Sequence, residues 1–337
     1  MDDPRTTVYK TLEFDTPARV PRQLWVLPWA KERYPSELAA IRRDFPDDIV
    51  TSPGFYRREP PTRGAQYEVG EYIDPWGCVF ENMVAGYIGE VKRPLVPAED
   101  TEWNDTSAVR FPEEWLSVDV AEVNRFCRET DRFVLAGGLP RPFEQLQFIR
   151  GTEQLFVDLA LRPSGLDRFI SRMHAFYCEI MELWAGTDVD ALFMMDDWGT
   201  QGSLLIHPDT WRDVFRPLYR DYIEIAKRKG KKIFMHSDGY TFDIYEPLIE
   251  LGLDAFNSQV FCMGIDRLAQ FRGRITFWGE VDRQHILPYG EPQQVREAVR
   301  KVRDTLWQDG GCIAQCEFGV GARPENVRAV FEEWNIG

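Results

Sequence analysis

The stretch Lys232-Ile233-Phe234-Met235-His236-Ser237-Asp238 sets a short apolar run directly before a histidine and an aspartate. The same design recurs through the C-terminal half of the chain. Ala191-Leu192-Phe193-Met194-Met195 runs into Asp196-Asp197, and Leu253-Asp254-Ala255-Phe256 into Asn257-Ser258-Gln259. Ile275-Thr276-Phe277-Trp278 leads to Gly279-Glu280-Val281-Asp282, and Cys312-Ile313-Ala314-Gln315 to Cys316-Glu317. Continuous apolar runs of this length, bounded by turn residues, suit strands buried on both faces, as in a parallel sheet. In β/α barrels the loops that follow the strands build the active site, so polar residues gathered there predict an enzyme.

The intervals between these runs read as helices. Helices are expected over 120–130, 143–149, 152–161, 165–186, 208–228 and 293–308, the last with Val295, Val299, Val302 and Leu306 on one face. Phe133-Val134-Leu135-Ala136 reads as a further strand. Residues 1–75 are broken by prolines and arginines, with a helix expected over 36–43, and residues 78–91 have hairpin character. Residues 1–115 are therefore expected to form an N-terminal cap integral to a single domain of 337 residues, partly covering the mouth.

Net charge is −15, which repels phosphate backbones, and no basic stripe with interleaved aromatics appears. Nucleic acid is excluded as an expected partner. No window approaches the length of apolar sequence that spans a bilayer, so no membrane partner is expected either. The N-terminus Met1-Asp2-Asp3-Pro4-Arg5 lacks an apolar leader, and the six cysteines have no framework spacing. The expectation is a cytoplasmic enzyme with reduced thiols.

His236 and Cys316 each close a buried strand, and imidazole with thiolate suits zinc. Asp238, two residues after His236, points the same way along an extended chain and offers an oxygen ligand. The alternative is that the histidine and the cysteine are packing residues. Asp196 and Asp197 point to opposite faces, so one of them enters the mouth. Asp197 is the candidate general base, substrate ligand or partner of His236, against a helix-capping role. Glu280 and Glu317 follow strand ends, where burial raises proton affinity. Gln259, His285 and the tryptophans Trp29, Trp76, Trp198 and Trp278 are candidate substrate-binding residues, with core packing the competing role for each tryptophan.

Together, Asp197-Trp198-Gly199, Phe234-Met235-His236-Ser237-Asp238-Gly239, Leu248 through Asn257, Thr276 through Asp282 and Pro324-Glu325-Asn326-Val327 resemble the uroporphyrinogen decarboxylase superfamily. The resemblance implies a single distorted (β/α)8 barrel with its pocket at the C-terminal face. In true decarboxylases of that superfamily an N-terminal segment supplies arginines for the porphyrinogen carboxylates. Here the comparable stretch, Trp25 through Pro35, has Pro28 where an arginine is expected and keeps Arg33. The resemblance is thus closer to the corrinoid- or folate-linked methyltransferases, which carry zinc on a His-x-Cys strand end plus a distant cysteine. His236 and Cys316 match two of those ligands, and Asp238 replaces the third.

The implied function is methyl transfer between a small-molecule substrate and a corrinoid or tetrahydrofolate carrier at a zinc-assisted site, with a corrinoid protein as partner. Decarboxylation of a small non-porphyrin acid is the second reading. A non-catalytic module binding a ligand or a corrinoid protein is the third.

Overall fold

A computed structural model describes residues 2–138 and 140–335. In chain order the strands are β1 (Arg22–Val26), β2 (Ile49–Thr51), β3 (Gly70–Ile73), β4 (Val79–Asn82) and β5 (Glu90–Arg93). They continue with β6 (Phe133–Leu135), β7 (Ala191–Met195), β8 (Lys232–Ser237), β9 (Ala255–Ser258), β10 (Thr276–Trp278) and β11 (Cys312–Phe318). The five apolar runs thus become β7 to β11, and the run at 133 becomes β6.

Eight strands form one parallel sheet in the order β1-β11-β10-β9-β8-β7-β6-β2, with helices in the connections. The sheet curls into a nearly closed barrel, and two carboxylates bridge its seam. Asp48 N–H donates to the Arg22 carbonyl at 2.8 Å. In return Arg22 N–H donates to Asp48 Oδ2 and Leu24 N–H to Asp47 Oδ1, each at 2.7 Å. Side chains thereby satisfy backbone donors that a full ladder would pair. The chain is a (β/α)8 barrel with an N-terminal extension.

Alternation along each strand sorts the side chains into two cores. Ile49, Phe133, Leu135, Ala191, Phe193, Phe234, Ala255, Trp278 and Ile313 fill the barrel interior. Trp278 sits among Trp25, Phe193 and Phe234 with ring centroids 5.3, 5.5 and 5.0 Å away. Its indole N–H donates to Gln23 Oε1 at 2.8 Å, so the one polar atom of this large group is paired. The opposite faces, among them Leu24, Val134, Met194, Met235, Phe256, Phe277 and Cys316, pack outward under the helices.

The first third of the chain does more than cap. It supplies β1 and β2, two staves that its proline-broken sequence did not reveal. Helix Pro4–Leu12 begins at Asp3, whose carboxylate accepts from Thr6 N–H at 2.6 Å. That helix closes the N-terminal end of the barrel, with Val8 and Leu12 in the interior core. Tyr56 and Trp115 do reach the C-terminal rim, beside Gly137, Gly138, Arg141 and Met195. β3, β4 and β5 form a separate antiparallel sheet, in which β4 and β5 correspond to the expected hairpin. The single helix expected over 208–228 is two, Pro208–Val214 and Arg216–Arg228, since Pro217 has no N–H to continue the ladder.

Candidate functional site

Parallel register sets the height of each strand-end side chain. Met195, His236 and Asn257 lie side by side on β7, β8 and β9. His236 Nδ1 lies 2.6 Å from Asn257 Oδ1, while the amide nitrogen of Asn257 donates to the Trp278 carbonyl. With its nitrogen so committed, Asn257 accepts a hydrogen bond from Nδ1–H through its oxygen, and Nε2 is left facing the mouth. There it meets two carboxylates, Asp197 Oδ1 at 3.5 Å and Asp238 Oδ1 at 3.6 Å. Asp238 N–H donates to Asp197 Oδ1 at 2.9 Å, which ties the two strand-end loops together. Burial favours neutral His236, but Asp197, Asp238 and Glu280 outweigh it and raise its pKa.

Asp196, the other member of the pair, turns away from the mouth. It accepts from Phe143 N–H at 3.0 Å, Glu144 N–H at 2.8 Å and Tyr219 Oη at 2.6 Å, capping the helix Pro142–Arg150. The two candidate roles of this dyad are therefore divided between its two members.

Arg283 is the hub of the remaining charges. Its guanidinium donates to Asp238 and stands 3.1 Å from Glu317 Oε1 and 3.7 Å from Glu280 Oε1. Glu280 is 4% exposed, and neither of its carboxyl oxygens has a hydrogen bond. Burial pushes its pKa up to about 8; Arg283 opposes that shift while Asp238 and Glu317 add to it. Burial thus favours the neutral form of Glu280. Glu144 is pushed to about 7 by burial, with Arg141, 3.1 Å away, pulling against it and Asp197 adding to it.

Among the described residues Asp197, His236 and Asp238 form a group that could hold a metal, their ligand atoms lying within 4.8 Å of one another. Two carboxylates and an imidazole whose outer nitrogen is fixed make a donor set that suits a divalent cation with oxygen and nitrogen preference.

Cys316 lies outside this group. It sits on the outward face of β11, in the core beneath the helices, opposite Gln315 and Glu317. The expected pairing of His236 with Cys316 is corrected accordingly: strand alternation turns residue 316 away whenever 317 points in. Burial, with Glu280 and Glu317 nearby, also holds the thiol well above its ordinary pKa, so it stays protonated.

The tryptophans divide. Trp278 fills the barrel below His236. Trp198 is fully buried, stacked on Phe143 at 4.0 Å with its indole N–H donating to Tyr219 Oη. Trp76 is buried against Phe111, Phe176 and Tyr177. All three are packing residues in this fold rather than pocket walls. Trp29 is part-buried, beneath the Arg33 guanidinium at 5.6 Å.

Gln259 and His285 do line a cavity of about 220 Å³, with Gln201, Phe261, Cys262, Glu280, Asp282, Arg283 and Gln284. Gln259 also donates to Asp238 Oδ1 at 3.3 Å, which joins this cavity to the Asp197–His236–Asp238 group. His285 is largely exposed and held by Asp282. Asn257, Arg283, Arg141 and Glu144 were not foreseen. Asn257 and Arg283 do follow strand ends named from the sequence, and that position was the available signal.

Comparison with known proteins follows this geometry. The family model for Uroporphyrinogen decarboxylase (URO-D) matches residues 82–335. The fold is similar to that of a methyltransferase from Methanosarcina mazei, with a TM-score of 0.69, 14% identity, and 99% of this chain and 98% of that chain covered. A 3-keto-D-glucoside 4-epimerase from E. coli aligns with a TM-score of 0.38, 13% identity, and 64% and 83% coverage. No curated protein sequence matches the chain. No described helix is long and apolar enough to cross a membrane.

Proposed function

The chain belongs to the uroporphyrinogen decarboxylase (URO-D) family, and we propose that within it this protein is a metal-assisted methyltransferase. It would move a methyl group between a small substrate and a corrinoid or folate carrier, the carrier being a second substrate. The observation that carries this reading is the convergence of Asp197, His236 and Asp238 beside a buried Glu280 whose carboxyl oxygens have no hydrogen bond. The methyltransferase title of the similarly folded Methanosarcina mazei chain agrees with it.

Asp197, His236 and Asp238 would hold the cation. It supplies Lewis acidity toward a substrate oxygen or nitrogen when bound, a role that needs no thiolate. The protein's own residues do the rest. Asn257 keeps Nε2 of His236 facing the mouth. Arg283 bridges Asp238 and Glu317 and offsets the repulsion between them. As the methyl group passes to the carrier, the broken bond's electron pair stays on the substrate heteroatom, and Glu280 gives that atom its proton.

Arg283 and Glu280 also support a second reading. A guanidinium beside a neutral carboxylic acid suits a small carboxylate substrate whose carbanion is protonated after carbon dioxide leaves.

Metal analysis of chelator-free protein, followed by assays of methylated oxygen and nitrogen compounds with reduced corrinoid or tetrahydrofolate, tests the proposal. Stoichiometric divalent metal that disappears in His236→Ala, together with methylated carrier, is the expected result. Equal metal content in wild type and variant, or carbon dioxide release without methyl transfer, overturns it.

A further inference from the structure

A second cavity, of about 310 Å³, opens at the rim between Tyr56, Trp115, Gly137, Gly138, Arg141 and Met195. It lies on the opposite side of β7 from Gln259 and Glu280, and none of its lining residues has a role in the reading above. We propose that this cavity binds a planar aromatic carboxylate, the ring against Tyr56 and Trp115 and the carboxylate on Arg141.

The walls come first. Trp115 is stacked on Phe176 with centroids 6.3 Å apart and meets Trp76 edge-on at 6.2 Å, so its ring is braced from behind. Tyr56 is fixed by the bridge its backbone makes with Val118. Two braced aromatic walls and the thioether of Met195 favour a flat apolar body.

The floor is bare backbone by necessity. A Cβ at position 137 would stand 2.5 Å from the Ser52 carbonyl oxygen, and one at 138 would collide with the Trp184 indole nitrogen. Gly137 and Gly138 are thus the residues that let the chain pass here, and they leave the space above them open.

The polar groups then select the ligand's charge. Among the described residues Arg141 is the one cation lining the cavity, and its Nε is buried without a hydrogen bond. Its contacts are Glu144 at 3.1 Å, Met195 Sδ at 3.7 Å and the Phe148 ring at 5.9 Å. Unpaired buried donors call for an acceptor. The unpaired Nε–H leaves the guanidinium a donor for one ligand acceptor, and its planar fork fits a carboxylate. The cavity's size is at the low end for ligand pockets, which suits one ring.

The site also has a direction. Met195 lies two residues before Asp197, and Glu144, beside Arg141, feels Asp197 and His236. A carboxylate anchored on Arg141 therefore lies at the end of the cavity nearest the Asp197–His236–Asp238 group. This last step rests on the proposed function; the binding itself does not.

Calorimetric titration of chelator-treated protein with benzoate, benzamide and acetate tests the site without turnover. Benzoate is expected to bind roughly tenfold or more tightly than either control. Arg141→Gln is expected to weaken benzoate about tenfold and leave benzamide unchanged, and Trp115→Leu to weaken both. Arg141→Lys, which keeps the charge but loses the fork, covers the case in which Arg141→Gln does not fold, and is expected to weaken benzoate. A flat benzoate titration to about 10 mM, or equal affinity in wild type and the Arg141 variants, overturns the proposal. Benzoate binding without methyl transfer in any assay overturns the function proposed above and leaves this site standing. Methyl transfer without benzoate binding does the reverse.

Discussion

The two ends of the barrel bury the same kind of residue on opposite terms. At the N-terminal end Asp48, Asp190 and Asp254 each precede a strand and accept the backbone N–H of its neighbour. The donors are Arg22, Val134 and Ile233, at 2.7, 2.7 and 2.8 Å. Each carboxylate also has a cation, Arg19 at 2.5 Å, Arg5 at 3.2 Å and Lys227 at 2.6 Å. Tyr9 adds a third contact to Asp190 at 3.0 Å as its helix closes that end. At the mouth Glu280 has no hydrogen bond, and Asp197 and Asp238 crowd one imidazole. Burial compensated within the chain serves stability. Burial left uncompensated raises proton affinity and leaves donors and acceptors for a ligand.

The largest test of this contrast is His236→Ala. If the proposed metal is held there, its loss is expected to remove several kcal/mol of transition-state stabilisation, a fall in kcat on the order of 10³-fold, and to lower the melting temperature as the buried Asn257 oxygen loses its partner. Metal content and steady-state rates measured on one preparation check it, and full activity in the variant would break the assignment of the mouth.

Glu280→Gln comes next, with an expected loss on the order of 10² in kcat. Glu280 is neutral below about pH 8 and becomes an anion above it. Wild-type activity that needs its proton should therefore fall as pH rises through about 8, and the variant's pH–rate profile should lack that limb. A profile shared by both proteins would remove Glu280 as the acid.

Asp48→Ala probes the other end. It strands Arg22 N–H and unpairs Arg19, at a cost of about 3 kcal/mol in stability by denaturant unfolding. Metal content should stay at the wild-type level. Lost metal at unchanged stability would show that the two ends are not separable in this way.

The smallest effect is expected of Cys316→Ala, which trims a buried side chain from the outer core. Roughly 1 kcal/mol in stability and no change in metal content are expected. Metal loss here would return the cysteine to the site.

Much of this was legible beforehand. Unbroken apolar runs of this length, bounded by turn residues, suit strands buried on both sides, and β7 to β11 answer to that reading. His236 and Asp238 were readable as partners because alternate residues of an extended chain point one way. The same alternation was available for Cys316, but which phase of β11 faces inward depends on pairing with β1 and β10 and cannot be read from one strand. β1 and β2 were hidden because each is short and flanked by prolines or charges, with little apolar run to mark it.

What the sequence alone determined, then, is the run of strands from β6 to β11, their parallel arrangement and the loops that carry the chemistry, since these depend on local pattern and period. The tertiary structure decided which side chains meet. Register placed Asn257 behind His236, the loop after β10 folded Arg283 back among three carboxylates, and barrel closure buried Glu280 with neither carboxyl oxygen hydrogen-bonded. Those contacts join residues far apart in the chain, so their energies belong to pairs that no local pattern encodes.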